Sequence, residues 1–187
     1  QETPHMRISM SHEIGRVGLL ERENATILNA CLSRVSESAV GAFKLAIEDL
    51  GLSSSLFLSQ NDGTLMDAEF AIKYPVLAIS SGPTNSMRGA SFLTGIDDAI
   101  VADIGGTSTD VGILRNGFPR ESSIAVDIGG VRTNFRMPDV LSIPLGGGSL
   151  VKTSPLVIGP DSVAMRLMEQ SLVFGGSIMT TTDVAVA

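Results

Sequence analysis

Residues 96–114 read IDDAIVADIGGTSTDVGIL, and the fold turns on how this stretch is read. The apolar run Ala99, Ile100, Val101, Ala102 is long enough for a buried strand and too short for a helix. It ends at Asp103 and Ile104; then come Gly105, Gly106, Thr107, Ser108 and Thr109, Asp110, and a second apolar run over 111–114. This pattern predicts two strands joined by a glycine-led, hydroxyl-rich turn with an acid at each shoulder. Glycines let successive backbone N–H groups close around an anion, and the three hydroxyls can donate to phosphate oxygens. Carboxylates facing phosphate make sense when a divalent cation lies between them. The same residues also fit an ordinary Gly-Gly hairpin whose aspartates cap turns.

The surrounding chain has 187 residues, 43% hydrophobic and 4% aromatic, with 20 Gly and no Trp. Small aliphatics and turns suit a well-buried parallel sheet covered by helices. A mean hydropathy of +0.29 is high beside 18% charge, and it fits a mixture of that buried sheet and a former interface left exposed on an excised piece. A net charge of −7 argues against nucleic acid and anionic membranes as partners. No run approaches the roughly 20 apolar residues of a membrane span, and the start of the chain has no signal-peptide core. The single cysteine, Cys31, reads as a buried structural thiol, and the chain reads as cytoplasmic.

His5 and His12 lack partners at metal-ligand spacing, so the region around them reads as a polar loop. Over 19–50 the period turns helical. Ile27, Leu28, Cys31, Leu32 and Val35 form one predicted core stripe; Ala39, Val40, Phe43, Ala46, Ile47 and Leu50 form another, with Gly51 as the stop. A short strand at 56–58 leads into Asn61, Asp62 and Gly63, which either serve a turn or face a ligand. A helix over 67–72 and a buried strand over 76–79 follow. Thr84 or Asn85 is expected to cap a helix running to Leu93, whose Gly89 anticipates close approach of another backbone.

Asn116 and Gly117 signal a type I′ turn, with a third strand expected within 120–126. Asp127, Ile128, Gly129 and Gly130 repeat the earlier tetrapeptide without its hydroxyls, which favours a plain hairpin over a second phosphate turn. Gly146, Gly147 and Gly148 follow a strand and permit close backbone contact with a flat or charged ligand; flexible linkers are usually longer and richer in serine. A helix is predicted over 163–172, and the cluster from Thr180 to Asp183 caps another.

The small-residue helix, the Asp103 to Asp110 hairpin and the later glycine run together resemble the actin, sugar-kinase and heat-shock-chaperone ATPase superfamily. The chain is more closely similar to the A-type subunits of the ATP-dependent hydantoinase/oxoprolinase family. Ser11-His12-Glu13-Ile14, residues 60–66, Ser81-Gly82-Pro83, the hairpin, residues 145–150 and Thr182-Asp183 carry that similarity. The resemblance implies an α/β ribonuclease-H-like (actin-like ATPase) fold with a mixed sheet flanked by helices, an incomplete fragment of a two-lobe enzyme. Residues 1–95 would end the first lobe and supply the connecting helix, and 96–187 would begin the second. It also implies ATP-driven opening of a cyclic amide such as a hydantoin or 5-oxoproline, with a partner B subunit or domain. On that model Asp103 and Asp110 hold Mg²⁺ and act in catalysis. Gly105, Gly106, Thr107, Ser108 and Thr109 grip phosphate, Gly146 to Gly148 lie against the nucleotide, and Asn61, Asp62 and Gly63 face substrate. The chain departs from the family in two places: a first phosphate motif is missing, and Leu141 stands where relatives commonly carry histidine. The second departure, with the lack of a nucleophile–base pair, keeps a non-hydrolase regulatory or assembly module in view.

Overall fold

The computed structural model describes residues 7–122 and 125–187; His5 lies outside them. One helical turn, α1 (Ser11–Ile14), replaces the loop expected around His12. Ile14 enters the core, and Glu13 pairs with Lys73 at 3.4 Å. Helix α2 (Leu20–Asp49) is a single rod stopped by Gly51 at φ +67°, as expected.

The face that α2 buries matches the predicted one only in part. Val40 is buried and Leu28 packs on the core as expected, but Ala25, Asn29 and Ser33 are buried too, while Ile27, Val35 and Phe43 are 54%, 65% and 55% exposed. Cys31 is exposed as well. The reason is chemical: α2 is held by side-chain hydrogen bonds that only small polar residues make. Asn29 donates to the Lys73 carbonyl (3.0 Å) and accepts from the Val76 N–H (3.3 Å), and the Ser36 hydroxyl donates to the Ala71 carbonyl (2.9 Å).

The hairpin β1 (Phe57–Ser59) and β2 (Leu65–Asp67) precedes α3 (Ala68–Lys73), capped by Asp67. The strand expected over 76–79 is instead a 3-10 turn, Pro75–Ala78, because Pro75 opens a helical turn and has no N–H to give a sheet. Helix α4 (Ser81–Thr94) starts three residues before the predicted cap; Thr84 lies inside it, buried, donating to the Asn61 carbonyl at 3.0 Å. A Cβ at Gly89 would meet nothing within 4 Å, so no close approach explains that glycine.

Strands β3 (Ala99–Ile104) and β4 (Thr109–Arg115) form the predicted hairpin in unbroken register, Ala99 opposite Leu114 through Ile104 opposite Thr109. After the Asn116-Gly117 turn, β5 (Phe118–Pro119) is shorter and earlier than expected; residues 123 and 124 of the predicted strand lie outside the described ones. The hairpin β6 (Val126–Ile128) and β7 (Val131–Thr133) stands apart, and β8 (Val140–Ile143) takes the remaining edge of β4. A fourth hairpin, β9 (Ser149–Thr153) and β10 (Leu156–Ser162), runs into short turns. The helix predicted over 163–172 is only α5 (Leu167–Gln170) between two 3-10 turns. Ala164 at φ +50° breaks it, and Val163 donates to the Gly148 carbonyl rather than into a helix. Helix α6 (Thr181–Val186) starts at the capping box of Thr180 and Asp183 that the threonine cluster predicts.

The molecule is therefore mixed α/β, but the expected parallel or mixed sheet is replaced. Among the described residues every named strand pairs antiparallel, in four small sheets; the only parallel contact is the isolated bridge of Ser171 and Ile178. Successive strands are mostly joined by short turns, and a parallel pair needs a crossover of about a dozen residues. One core cluster joins Ile14, Ala25, Tyr74 and Val76 to Phe135 and Met137; a second gathers Val40, Met66, Ala68 and Ala71. Among the described residues no helix is long and apolar enough to cross a membrane.

Candidate functional site

Antiparallel register places directly opposed side chains on one face. Asp103 is opposite Asp110, and Asp110 is opposite Ser142 of β8, so the three form a row across three strands. Two residues further along β4, Gly112 lies under Met87 of α4: a Cβ there would sit 2.4 Å from the sulfur. Helix α4 thus covers this face at one end and leaves the acidic row at the open end, where Asp103 and Asp110 are half-buried. Carboxylates directly opposite each other destabilise a sheet by up to about 1 kcal/mol, and among the described residues no cation pairs with either one.

The turn above the acids divides its hydrogen bonds in two. The Gly105 N–H closes the turn onto the Ser108 carbonyl (2.9 Å), and the Thr109 hydroxyl donates to the Leu145 carbonyl (2.6 Å). The N–H groups of Gly106, Thr107 and Ser108, and the hydroxyls of Thr107 and Ser108, have no partner among the described residues. Three consecutive free N–H groups at a turn tip are donors of the kind that can close around an anion.

The glycine run is used differently from its sequence reading. Gly147 and Gly148 donate to the carbonyls of Gly105 and Gly106 (2.9 and 2.7 Å), and Gly146 donates to the Ser149 hydroxyl (2.9 Å). All three N–H groups are occupied by protein. A Cβ at Gly146 would lie 2.7 Å from backbone atoms of Gly105, Gly106 and Thr107, so glycine is needed there for the loop to dock on the turn. Helix α6 fastens the other side: Thr181 donates to the Gly146 carbonyl, and the Thr182 hydroxyl to that of Gly147 (2.8 Å). Beneath α6, the buried Asp183 carboxylate accepts from Thr180 N (2.7 Å), Thr180 Oγ1 (2.8 Å) and Val173 N (2.7 Å). Burial pushes its pKa up, but these donors outweigh burial and hold it below the usual value.

A cleft of about 540 Å³ opens between turn, glycine loop and α6, lined by Ile104, Leu145, Leu167, Thr181, Thr182 and Val186. Ile104 and Thr109 belong to the sheet face opposite the acids, so this largely apolar cleft and the acidic row are on different sides.

The structure thus brings Asp103 to Asp110, and Gly105 and Gly106 to Gly146, Gly147 and Gly148. It does not bring Asn61 to them in an open site. Asn61 is buried, donating to the Arg136 carbonyl (2.7 Å) and, through its backbone, to the Leu77 carbonyl (2.8 Å). Asp62 accepts from Thr64 N (2.9 Å) and Thr64 Oγ1 (2.6 Å) within its own turn, and Gly63 packs near Arg88 and Pro119. Sequence reasoning missed Ser142, Thr181 and Thr182. The alternation in β8, where Ser142 is the one polar residue, was the available signal.

The family model described as hydantoinase/oxoprolinase matches residues 22–187. The chain belongs to the hydantoinase/oxoprolinase family. Among its relatives, the acetophenone carboxylase gamma subunit of Aromatoleum aromaticum is 26% identical over 96% of this chain and 25% of its own length. The alpha subunit of caprolactamase from Pseudomonas jessenii is 27% identical over 98% and 27%. The nucleotide-free structure of acetone carboxylase, from a study of ATP-dependent acetone carboxylation, superposes with a TM-score of 0.69 at 24% identity, covering 92% of this chain and 25% of that one. This hydantoinase/oxoprolinase-family chain therefore spans about a quarter of the relatives it matches.

Proposed function

We propose that this chain is the phosphate-gripping part of an ATP-dependent enzyme that processes amides or ketones, with a ring-opened cyclic amide of hydantoin or 5-oxoproline type as the finer assignment. The observation that carries it is the paired carboxylates of Asp103 and Asp110 on strands joined by a turn whose Gly106, Thr107 and Ser108 N–H groups have no partner among the described residues. Two half-exposed carboxylates do not make an all-protein metal cage, and among the described residues no group of three or more metal-binding side chains exists. They do fit Mg²⁺, which typically takes one or two carboxylates and completes its shell with phosphate oxygens and water. Asp103 and Asp110 would hold that ion, and the turn N–H groups would hold phosphate. Bound ATP would supply the phosphoryl group that makes an amide carbonyl open to attack by water. The fold reading behind this is ribonuclease-H-like, with a second lobe and a further subunit completing the site. The acetone carboxylase likeness, the subunit names of the relatives and the lactam in the name caprolactamase support it.

Gly146, Gly147 and Gly148 brace the turn from the side of the apolar cleft by docking on it, and Thr109 positions the loop rather than phosphate. Asn61, Asp62 and Gly63 stay outside it, as their polar groups serve packing and a turn. The competing reading, a non-hydrolase assembly module, leans on Leu141. Strand β8 turns Leu141, opposite Val111, onto the face away from Asp110, so its identity does not bear on the acidic row. The test is ATP turnover by the intact protein, with and without hydantoin or 5-oxoproline. Asp103→Asn is expected to lower turnover by about 100-fold or more. Undiminished turnover removes the assignment; turnover that no cyclic amide stimulates favours the assembly module.

A further inference from the structure

We propose that Ser142 is a positioning residue for the Asp110 carboxylate, drawing it toward β8 and away from Asp103 so that a cation is accommodated between the two acids. The inference rests on the reading that Asp110 works at the phosphate site. β4 is the middle strand: Asp103 is on one side of Asp110 and Ser142 on the other. The Ser142 hydroxyl donates to Asp110 Oδ1. Nothing about burial demands that bond, because Ser142 is exposed and water would satisfy it.

Its setting also singles it out. Val140, Leu141 and Ile143, the rest of β8, are apolar. The nearby basic side chain, Arg120, is engaged with Asp139, at 3.0 Å through Nε. A lysine or arginine at 142 would orient Asp110 only by neutralising it. A hydroxyl has one proton to donate: it fixes one carboxylate oxygen, leaves the second free and leaves the negative charge intact. That is what an outer partner of a metal-binding carboxylate has to do.

The experiment titrates Mn²⁺ into the intact protein saturated with a non-hydrolysable ATP analogue and reads free Mn²⁺ by electron paramagnetic resonance. Ser142→Ala is expected to weaken Mn²⁺ binding by about 10-fold, with Ser142→Thr within about 2-fold of the parent. The melting temperature of Ser142→Ala is expected within about 2 °C of the parent, since the side chain is exposed. Asp110→Asn is the control, and adding Ser142→Ala to it is expected to change nothing more. If Asp110→Asn weakens binding and Ser142→Ala does not, the role of Ser142 is overturned while Asp110 keeps its own. Equal losses in the alanine and threonine variants also overturn it, because the hydroxyl is then not the cause. If Asp110→Asn binds Mn²⁺ normally, the phosphate-site reading fails and Ser142 falls with it.

Discussion

The tetrapeptide Asp-Ile-Gly-Gly occurs at 103–106 and again at 127–130, and the two copies use their aspartates in opposite ways. In the second copy Asp127 turns inward and accepts the Gly130 N–H at 2.8 Å, closing its own hairpin; Gly129 and Gly130 adopt φ +59° and +83°. In the first copy the turn is closed by backbone alone, Gly105 N to Ser108 O, and neither glycine has positive φ. Asp103 is therefore free to face Asp110. Four identical residues give a self-satisfied turn when the chain reverses at once, and an open acidic shoulder when three hydroxyl residues lengthen the reversal.

The largest expected difference between the copies is in activity. In the intact protein Asp103→Asn should reduce ATP turnover by about 100-fold or more, whereas Asp127→Asn should stay within about 2-fold. Equal losses in steady-state assays would erase the distinction. Stability should separate them next. Gly146→Ala forces a Cβ into the backbone of the first turn and should cost about 2–3 kcal/mol in denaturant unfolding. Gly129→Ala meets open space and should cost only about 1 kcal/mol, for the left-handed backbone.

A smaller effect follows from α6, which fastens the glycine loop of the first turn and has no counterpart at the second. Thr180→Ala should cost about 1 kcal/mol by loss of the cap. The folded pKa of Asp183 is lowered, so its contribution is present above the unfolded value near 3.8 and is lost as pH falls through the folded one. Melting curves of the parent and Asp183→Asn should differ near pH 6, begin to draw together only below the unfolded value near 3.8, and meet once pH is below the folded one. A gap that persists into acid would mean that the charge on Asp183 does not hold α6.

Local pattern made much of this legible. The β3–β4 hairpin, the Asn116-Gly117 turn, the plain second hairpin, the Gly51 stop and the Thr180 cap each depend on neighbours a few residues apart. The α2 stripes mislead because periodicity reports which residues share a face, not which face a partner covers; Asn29 and Ser36 select the buried one through hydrogen bonds to residues over thirty positions away. The same limit hides part of the work of Gly146, Gly147 and Gly148: read as a loop for close contact with a ligand, they also seat another backbone, with Gly146 and Gly147 at the cleft.

By itself the sequence determined the hairpin, its two acids and its family, because strand length, turn chemistry and motif are short-range properties of the chain. Only the tertiary structure decided that Ser142 joins Asp103 and Asp110 in one row, and that Leu141 and the apolar cleft fall on the other side. Register across β3, β4 and β8 is set by which strand docks on which edge, and a shift of one residue would have exchanged the two faces.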